Sequence, residues 1–143
     1  MSSSSIYASI VSCQYQIDNL YSSIAVLQRK IDEQQDVLFR FRVYREDYFS
    51  ELIERKRRCD IVSGFRTKAV FSERFAAKRD DELGQDRANA VNDALDGIHQ
   101  KMQDEINRHY QELDQQKTLL IQEGNRLEQL RIDHTRALIA EKP

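Results

Sequence analysis

Residues 6–38 read IYASIVSCQYQIDNLYSSIAVLQRKIDEQQDVL, and the apolar side chains in this stretch recur in alternating steps of four and three. The series is Ile6, Ile10, Cys13, Ile17, Leu20, Ile24, Leu27, Ile31 and, past a polar Gln34, Leu38. A seven-residue period marks a helix whose apolar stripe faces one partner helix, a narrow coiled-coil seam and not the broad face of a globular core helix. The rhythm continues through Phe41, Arg45, Tyr48, Leu52, Arg55, Cys59 and Val62, so that fourteen of seventeen seam positions are apolar. Gln34, Arg45 and Arg55 are the exceptions, and polar seam residues of this kind fix register or loosen the packing. Charge reversal at Leu20 or Ile24 is expected to unfold such a seam.

Outward from this stretch, Ser4 or Ser5 is placed to cap the first turn of a helix over about 5–62. Ser63-Gly64 is the strongest turn signal before the last third, because glycine takes the positive φ that ends a helix. The reading is a turn at about 63–66, a short helix to about 79, and a last helix over about 85–140. Asp80-Asp-Glu-Leu-Gly-Gln85 reads as a kink, a second turn or neither. The last helix has its own seam at Val91, Leu95, Ile98, Met102, Ile106, then His109 or Tyr110, Leu113, Gln116, Leu120, Leu127 and Leu130. Two seams of similar length joined by a short connection pack antiparallel. The fold class is therefore all-α, a long antiparallel helical hairpin of coiled-coil type in a single domain, around 80 Å long at about 1.5 Å per residue.

Composition agrees. Of the 143 residues 40% are apolar and 32% charged, with four Gly and one Pro. Glycine and proline are the residues that long helices tolerate least. The net charge is −2, which points to no polyanionic partner for the chain as a whole. Its distribution is uneven: −2 over residues 1–39, +6 over 40–79 and −6 over 80–143. The N-terminus has neither the basic start nor the apolar stretch of a secretory signal, and no run approaches a membrane span. The expectation is a protein made in the cytoplasm which, if it leaves the cell, does so without a cleaved signal. Cys13 and Cys59 both fall on the seam and read as small buried hydrophobes, with an intermolecular disulfide or redox role as the alternative.

Sequence motifs for phosphate loops, dinucleotide binding and Cys/His zinc sites are absent, and a two-stranded rod offers no pocket in which catalytic groups converge. No enzyme activity, cofactor or metal is expected. Glu105 and His109, with Asp104 adjacent, have the spacing of a helical metal pair, but such spacing is common by chance on charged helices. The basic run at Arg55-Lys-Arg-Arg58, with Arg66, Lys68, Arg74, Lys78 and Arg79, could meet phosphates. It could equally solvate the hairpin tip or pair with the acidic last helix. Aromatics are dense between residues 39 and 49, and one seam can bury only Phe41, Tyr48 and Tyr44 at most. Phe39 and Phe49 are expected to point elsewhere, covered by residues 66–79 or by a second protein. Phe39, Tyr44 and Phe49, with Phe71 and Phe75 beyond the turn, are the candidate partner-binding residues. Tyr7, Tyr15 and Tyr21 raise the same question near the N-terminus.

Two long helices around a glycine turn at Val62-Ser63-Gly64-Phe65 resemble the WXG superfamily, whose turn is Trp-any-Gly. Val62 stands in the Trp place with Phe65 beside it, and the chain has no Trp. More closely, the chain is similar to the small helical partner proteins of LXG toxins in Gram-positive type VII secretion, the YwqH-like group. The resemblance implies an export signal, an aromatic residue followed four positions later by an acid, and Tyr110-Gln-Glu-Leu-Asp114 matches it. About thirty residues follow the motif, more than is usual in the family. The resemblance also implies the partners: the helical N-terminal domain of an LXG toxin, a second small helical protein in the same bundle, and the secretion ATPase. Two other functions stand beside this one, a homo-oligomeric structural coiled coil and, third, a nucleic-acid-associated protein using the basic run.

Overall fold

The computed structural model describes residues 2–63 and 84–143. Two helices account for nearly all of them: α1, Ser3–Ser63, and α2, Gln85–Ala140. They pack against each other, and the fold is the all-α helical hairpin that the two seams require. Of the turn residues, Val62 lies in the last turn of α1, while Gly64 and Phe65 lie outside the described residues, as do the short helix expected to about 79, Phe71 and Phe75. The weak point near residue 85 is the start of α2. The Gly84 carbonyl accepts the first helical bond, from Ala88 N–H at 3.0 Å, and Asp86 supplies an acid in the first turn, where the helix dipole favours it.

The chain divides into two compact units, one made of Met1–Glu33 with Ile106–Pro143 and the other of Gln34–Glu105. In the first, partners pair in descending order on α2 as they ascend on α1. Ser3 meets Glu141, Tyr7 lies 6.0 Å from the His134 ring, and Cys13 Sγ reaches the Glu123 carboxylate at 3.2 Å. That order is antiparallel. The core of this unit is Leu27, Ile31 and Leu113, with Ile24 packed against it, and Ile31 is wholly buried. Ile6, Ile10, Cys13, Ile106 and His109 are also buried. Each apolar side chain of this size taken out of water contributes roughly 1.5–3 kcal/mol. Those terms hold the two helices together.

The second unit is built more from polar contacts. Leu38 is its one buried hydrophobic among the described residues. Arg45, a seam residue, donates from Nη2 to Asn92 Oδ1 at 2.6 Å and to Asp96 Oδ1. Arg42 Nε donates to His99 Nε2 at 3.2 Å, and the His99 ring lies 6.5 Å from Phe41. Here too the order along α2 falls as that along α1 rises.

Three details differ from the sequence reading. The N-terminal cap is Ser2, not Ser4 or Ser5. Its Oγ accepts from Ser5 N–H at 3.2 Å and its carbonyl accepts the first helical bond, from Ile6 N–H at 3.1 Å. On α1 the seam steps from Arg45 to Phe49 instead of Tyr48, so Phe49 is half-buried and Tyr48 is 45% exposed. On α2 the seam takes His99 instead of Ile98, and of the two alternatives His109 and Tyr110 it takes His109. It runs Asn92, Leu95, His99, Met102, Ile106, His109, Leu113, Gln116, Leu120, Glu123, Leu127, Leu130, His134, Ala137, an unbroken seven-residue period. Leu20 and Ile24 are only half-buried, so they are weaker points of attack than Ile31.

The open end of the first unit is tied by one carboxylate. Glu141 accepts from Ser3 N–H at 2.9 Å and from Ser3 Oγ at 2.6 Å, closing the exposed start of α1 with the end of α2. The Ser3 hydroxyl and then the Ser3 amide hold the Glu141 carboxyl below its usual value of 4.5. A carboxyl whose folded value is depressed adds its stability above the unfolded value and loses it as pH falls through the folded one. The Ser3 amide resonance is therefore expected to titrate with a midpoint below 4.5, and Glu141→Gln to abolish that titration. A Ser3 amide blind to pH in the parent chain would disprove the tie.

Within the seam, Gln116 Oε1 is a buried acceptor with no donor among the described residues. Removing an unsatisfied buried polar atom while filling the seam favours folding, so Gln116→Leu is expected to add about 1–2 kcal/mol. A thermal midpoint equal to or below the parent's would count against this packing.

Candidate partner-binding surfaces

The aromatic cluster predicted at residues 39–49 does not form one surface. Phe39 is 65% exposed and Tyr44 is 72% exposed. They are five residues apart, and at 100° per residue their side chains leave α1 on opposite flanks. Phe39 shares its flank with Val43, four residues on, and Tyr44 shares the other with Val37, seven residues back. Phe49 sits further inward than the sequence suggested. Its ring meets Tyr48 edge-on at 5.2 Å, and the Arg45 guanidinium carbon lies 6.0 Å from its centroid. The cation that pairs with Asp96 thus also borders Phe49, which explains why the seam tolerates an arginine there.

Tyr110 and Asp114 are brought together. With His109 buried in the seam, Tyr110 moves to the shoulder at 38% exposed, and Asp114, one turn on, is exposed beside it. Both side chains can be reached from one direction. The Thr118 hydroxyl donates to the Asp114 backbone carbonyl at 2.9 Å and leaves its carboxylate outward.

The basic run on α1 is partly offset by its own helix. Arg55 pairs with Glu51 at 3.0 Å, and Arg57 and Arg58 each approach Glu54 at 4.0 Å. Surface pairs of this spacing contribute only about 0.3–0.5 kcal/mol each, but they take up donors that phosphates would need. Beside them lies an open groove of about 610 Å³ lined by Tyr48, Glu51, Leu52, Arg55, Arg58, Cys59 and Arg87, which sequence spacing could not have revealed because Arg87 comes from α2. The other cysteine is deeper. Cys13 is almost wholly buried and donates to the Glu123 carboxylate and, at 3.3 Å, to the Glu123 carbonyl. Burial first, and then the Glu123 carboxylate, push its thiol pKa up. Both free cysteines lie on the seam as expected, Cys59 half-buried.

Among the described residues no group of three or more His, Cys, Asp or Glu is gathered to hold a metal ion, and no helix is long and apolar enough to cross a membrane. What the fold and these surfaces define is a helical hairpin with large apolar side chains left outward. Neither protein-family models, nor curated proteins, nor solved structures give a match to this chain.

Proposed function

We propose that this chain is a non-catalytic binding partner that packs beside the helical N-terminal domain of a secreted LXG-type toxin and helps to present it to the ATPase of a type VII secretion system. A second small helical protein would complete the bundle. The observation that carries the reading is the set of large aromatic and aliphatic side chains left in solvent on a helical pair whose seam is already filled, Phe39 and Tyr44 above all. Exposed aromatics near a helix pair are natural anchors for a protein interface. Their position on two flanks supports a partner on each side of α1, as a multi-helix bundle would require. The Tyr110–Asp114 pair supports the targeting half of the reading, because a receptor groove can read two side chains spaced by four on one helix face. The Cys13 thiol supports the non-catalytic half. Its pKa is raised, the direction opposite to that of a nucleophilic cysteine.

Co-expression with the helical domain of a toxin encoded next to it tests the reading. The expected result is a one-to-one complex that survives gel filtration, weakened tenfold or more by Phe39→Ser or Tyr44→Ser with helicity unchanged. A chain that elutes alone in the presence of every neighbouring toxin domain would end it. The arginine-lined groove favours an anionic partner as the second reading. In that case nucleic acid would be retained in a salt-dependent way and released by Arg55→Glu with Arg58→Glu.

A further inference from the structure

The two flanks of the first unit are unlike each other. Coiled-coil positions can be assigned from the observed seam, with Ile10 and Cys13 as a and d on α1 and Ile106 and His109 as a and d on α2. In an antiparallel pair the e positions of both helices, with b and f beyond them, share one side of the pair, and the g and c positions share the other. On the e side, α1 carries Tyr7, Val11, Tyr15 and Tyr21, all 48–68% exposed. The same side of α2 carries Ile121, Ile132, Leu138 and Ile139, 43–65% exposed. The g side carries Ser12, Gln16 and Asn19 on α1 and Gln122, Gln129 and Arg136 on α2, with Val26 and Leu119 as its exposed apolar residues. The e side also holds Gln14, Asp18, Lys117, Glu128 and Arg131, but most of the unit's large exposed apolar side chains lie on it, although the seam between the helices is already closed.

Gly124 lies on the apolar side, in the middle of α2. A mid-helix glycine costs about 1 kcal/mol relative to alanine. Here a Cβ would meet nothing within 4 Å, so the packing of the chain itself gives no reason for it.

We infer that this side of the first unit, Tyr7–Tyr21 on α1 with Ile121–Ile139 on α2, is a self-association surface on which a second copy of the chain packs to make a four-helix bundle. The argument for a second copy is complementarity. A two-fold axis parallel to the helices sets α1 of one copy across from α2 of the other, at the level already seen within the unit, where Cys13 meets Glu123. The tyrosines of α1 then face the aliphatic residues of α2. Tyr15 comes level with Ile121, Val11 with the gap at Gly124, and Asp18 comes beside Lys117 of opposite charge. The same contacts form twice, as an isologous interface requires. The extent is also right. At about 1.5 Å per residue the α2 strip is about 27 Å long, and two helices side by side are about 20 Å across. The footprint is about 500 Å² per copy, or roughly 1,000 Å² in total, the lower bound for a specific interface. Tyr110 and Asp114 lie beyond the end of the α2 strip.

This pairing uses the first unit alone and does not depend on the toxin reading, which the same experiment leaves untouched. Sedimentation equilibrium of the full chain, from about 1 to about 200 µM, spans the affinities open to an interface of this size. The expected mass at the upper end is twice the 16.9 kDa of the chain. Ile121→Glu and Gly124→Glu are expected to shift the transition to at least tenfold higher concentration. The second variant replaces a glycine with a better helix former in open space, so a failure to fold does not cloud it. Ser12→Glu, on the polar side, is expected to leave the dimer intact. A parent chain still monomeric at the highest concentration would overturn the inference. So would a dimer, or a higher oligomer, unmoved by both Ile121→Glu and Gly124→Glu.

Discussion

Ile31→Asp is expected to abolish cooperative folding of the first unit. Ile31 is 0% exposed and belongs to the cluster with Leu27 and Leu113 that joins both helices there. A carboxylate at that position must either be buried charged, which costs several kcal/mol, or be protonated, or part the helices. Loss of the isoleucine packing adds roughly 2–5 kcal/mol. Together these match or exceed the roughly 5–15 kcal/mol by which ordinary domains are stable, and a slender helical pair has little to spare. Circular dichroism should show the helical signal falling by half or more at 25 °C, with no sharp thermal transition. Ile53→Asp is the control. Ile53 is 68% exposed on the same helix, and its substitution is expected to change stability by no more than about 0.5 kcal/mol. Equal behaviour of the two variants would mean that α1 is not packed along the seam described.

The second large effect concerns transport. Under the function proposed above, Asp114→Ala is expected to cut secretion of the toxin at least tenfold in a strain with an active type VII system, with no change in helicity or in toxin binding. Tyr110→Ala should do the same, with a small loss of stability because its ring is partly covered. The reasoning is geometric. The two side chains lie one turn apart on an accessible face, Asp114 is exposed, and neither belongs to the seam. A structural residue would lower export only by lowering the amount of folded protein. Normal export by Asp114→Ala at normal protein levels would remove the targeting assignment and leave the binding assignment standing.

The seam was legible in the sequence because a seven-residue period is nearly all that two paired helices ask of their residues. It gave the two long helices of the hairpin and the burial of Cys13 and Ile31. It failed where a polar residue took a seam place. His99 was passed over for the more apolar Ile98, yet the imidazole accepts from Arg42 while Ile98 stays outside. Glu123 and His134 were omitted for the same reason, although strict sevenfold spacing from Gln116 and Leu127 would have found them. The step from Arg45 to Phe49 was hidden because it depends on Asn92 and Asp96, which come from the other helix. Tyr110 and Asp114 could be found as a pair, but which of His109 and Tyr110 turned inward could not. The contrast between the two flanks of the first unit was invisible until the a and d positions of both helices were fixed, since each flank takes half of its residues from each helix.

The apolar flank and its proposed pairing depend on the antiparallel register of the first unit. The direct measurement is the distance between spin labels at Ser12→Cys and Gln122→Cys, in a Cys59→Ser background with Cys13 left buried. The seam contact of Cys13 with Glu123 puts these neighbours side by side, across helix axes about 8–10 Å apart, so a distance of about 20 Å including the label arms is predicted. A parallel pair starting level would place them about 40 Å apart, and a distance that long would contradict the hairpin.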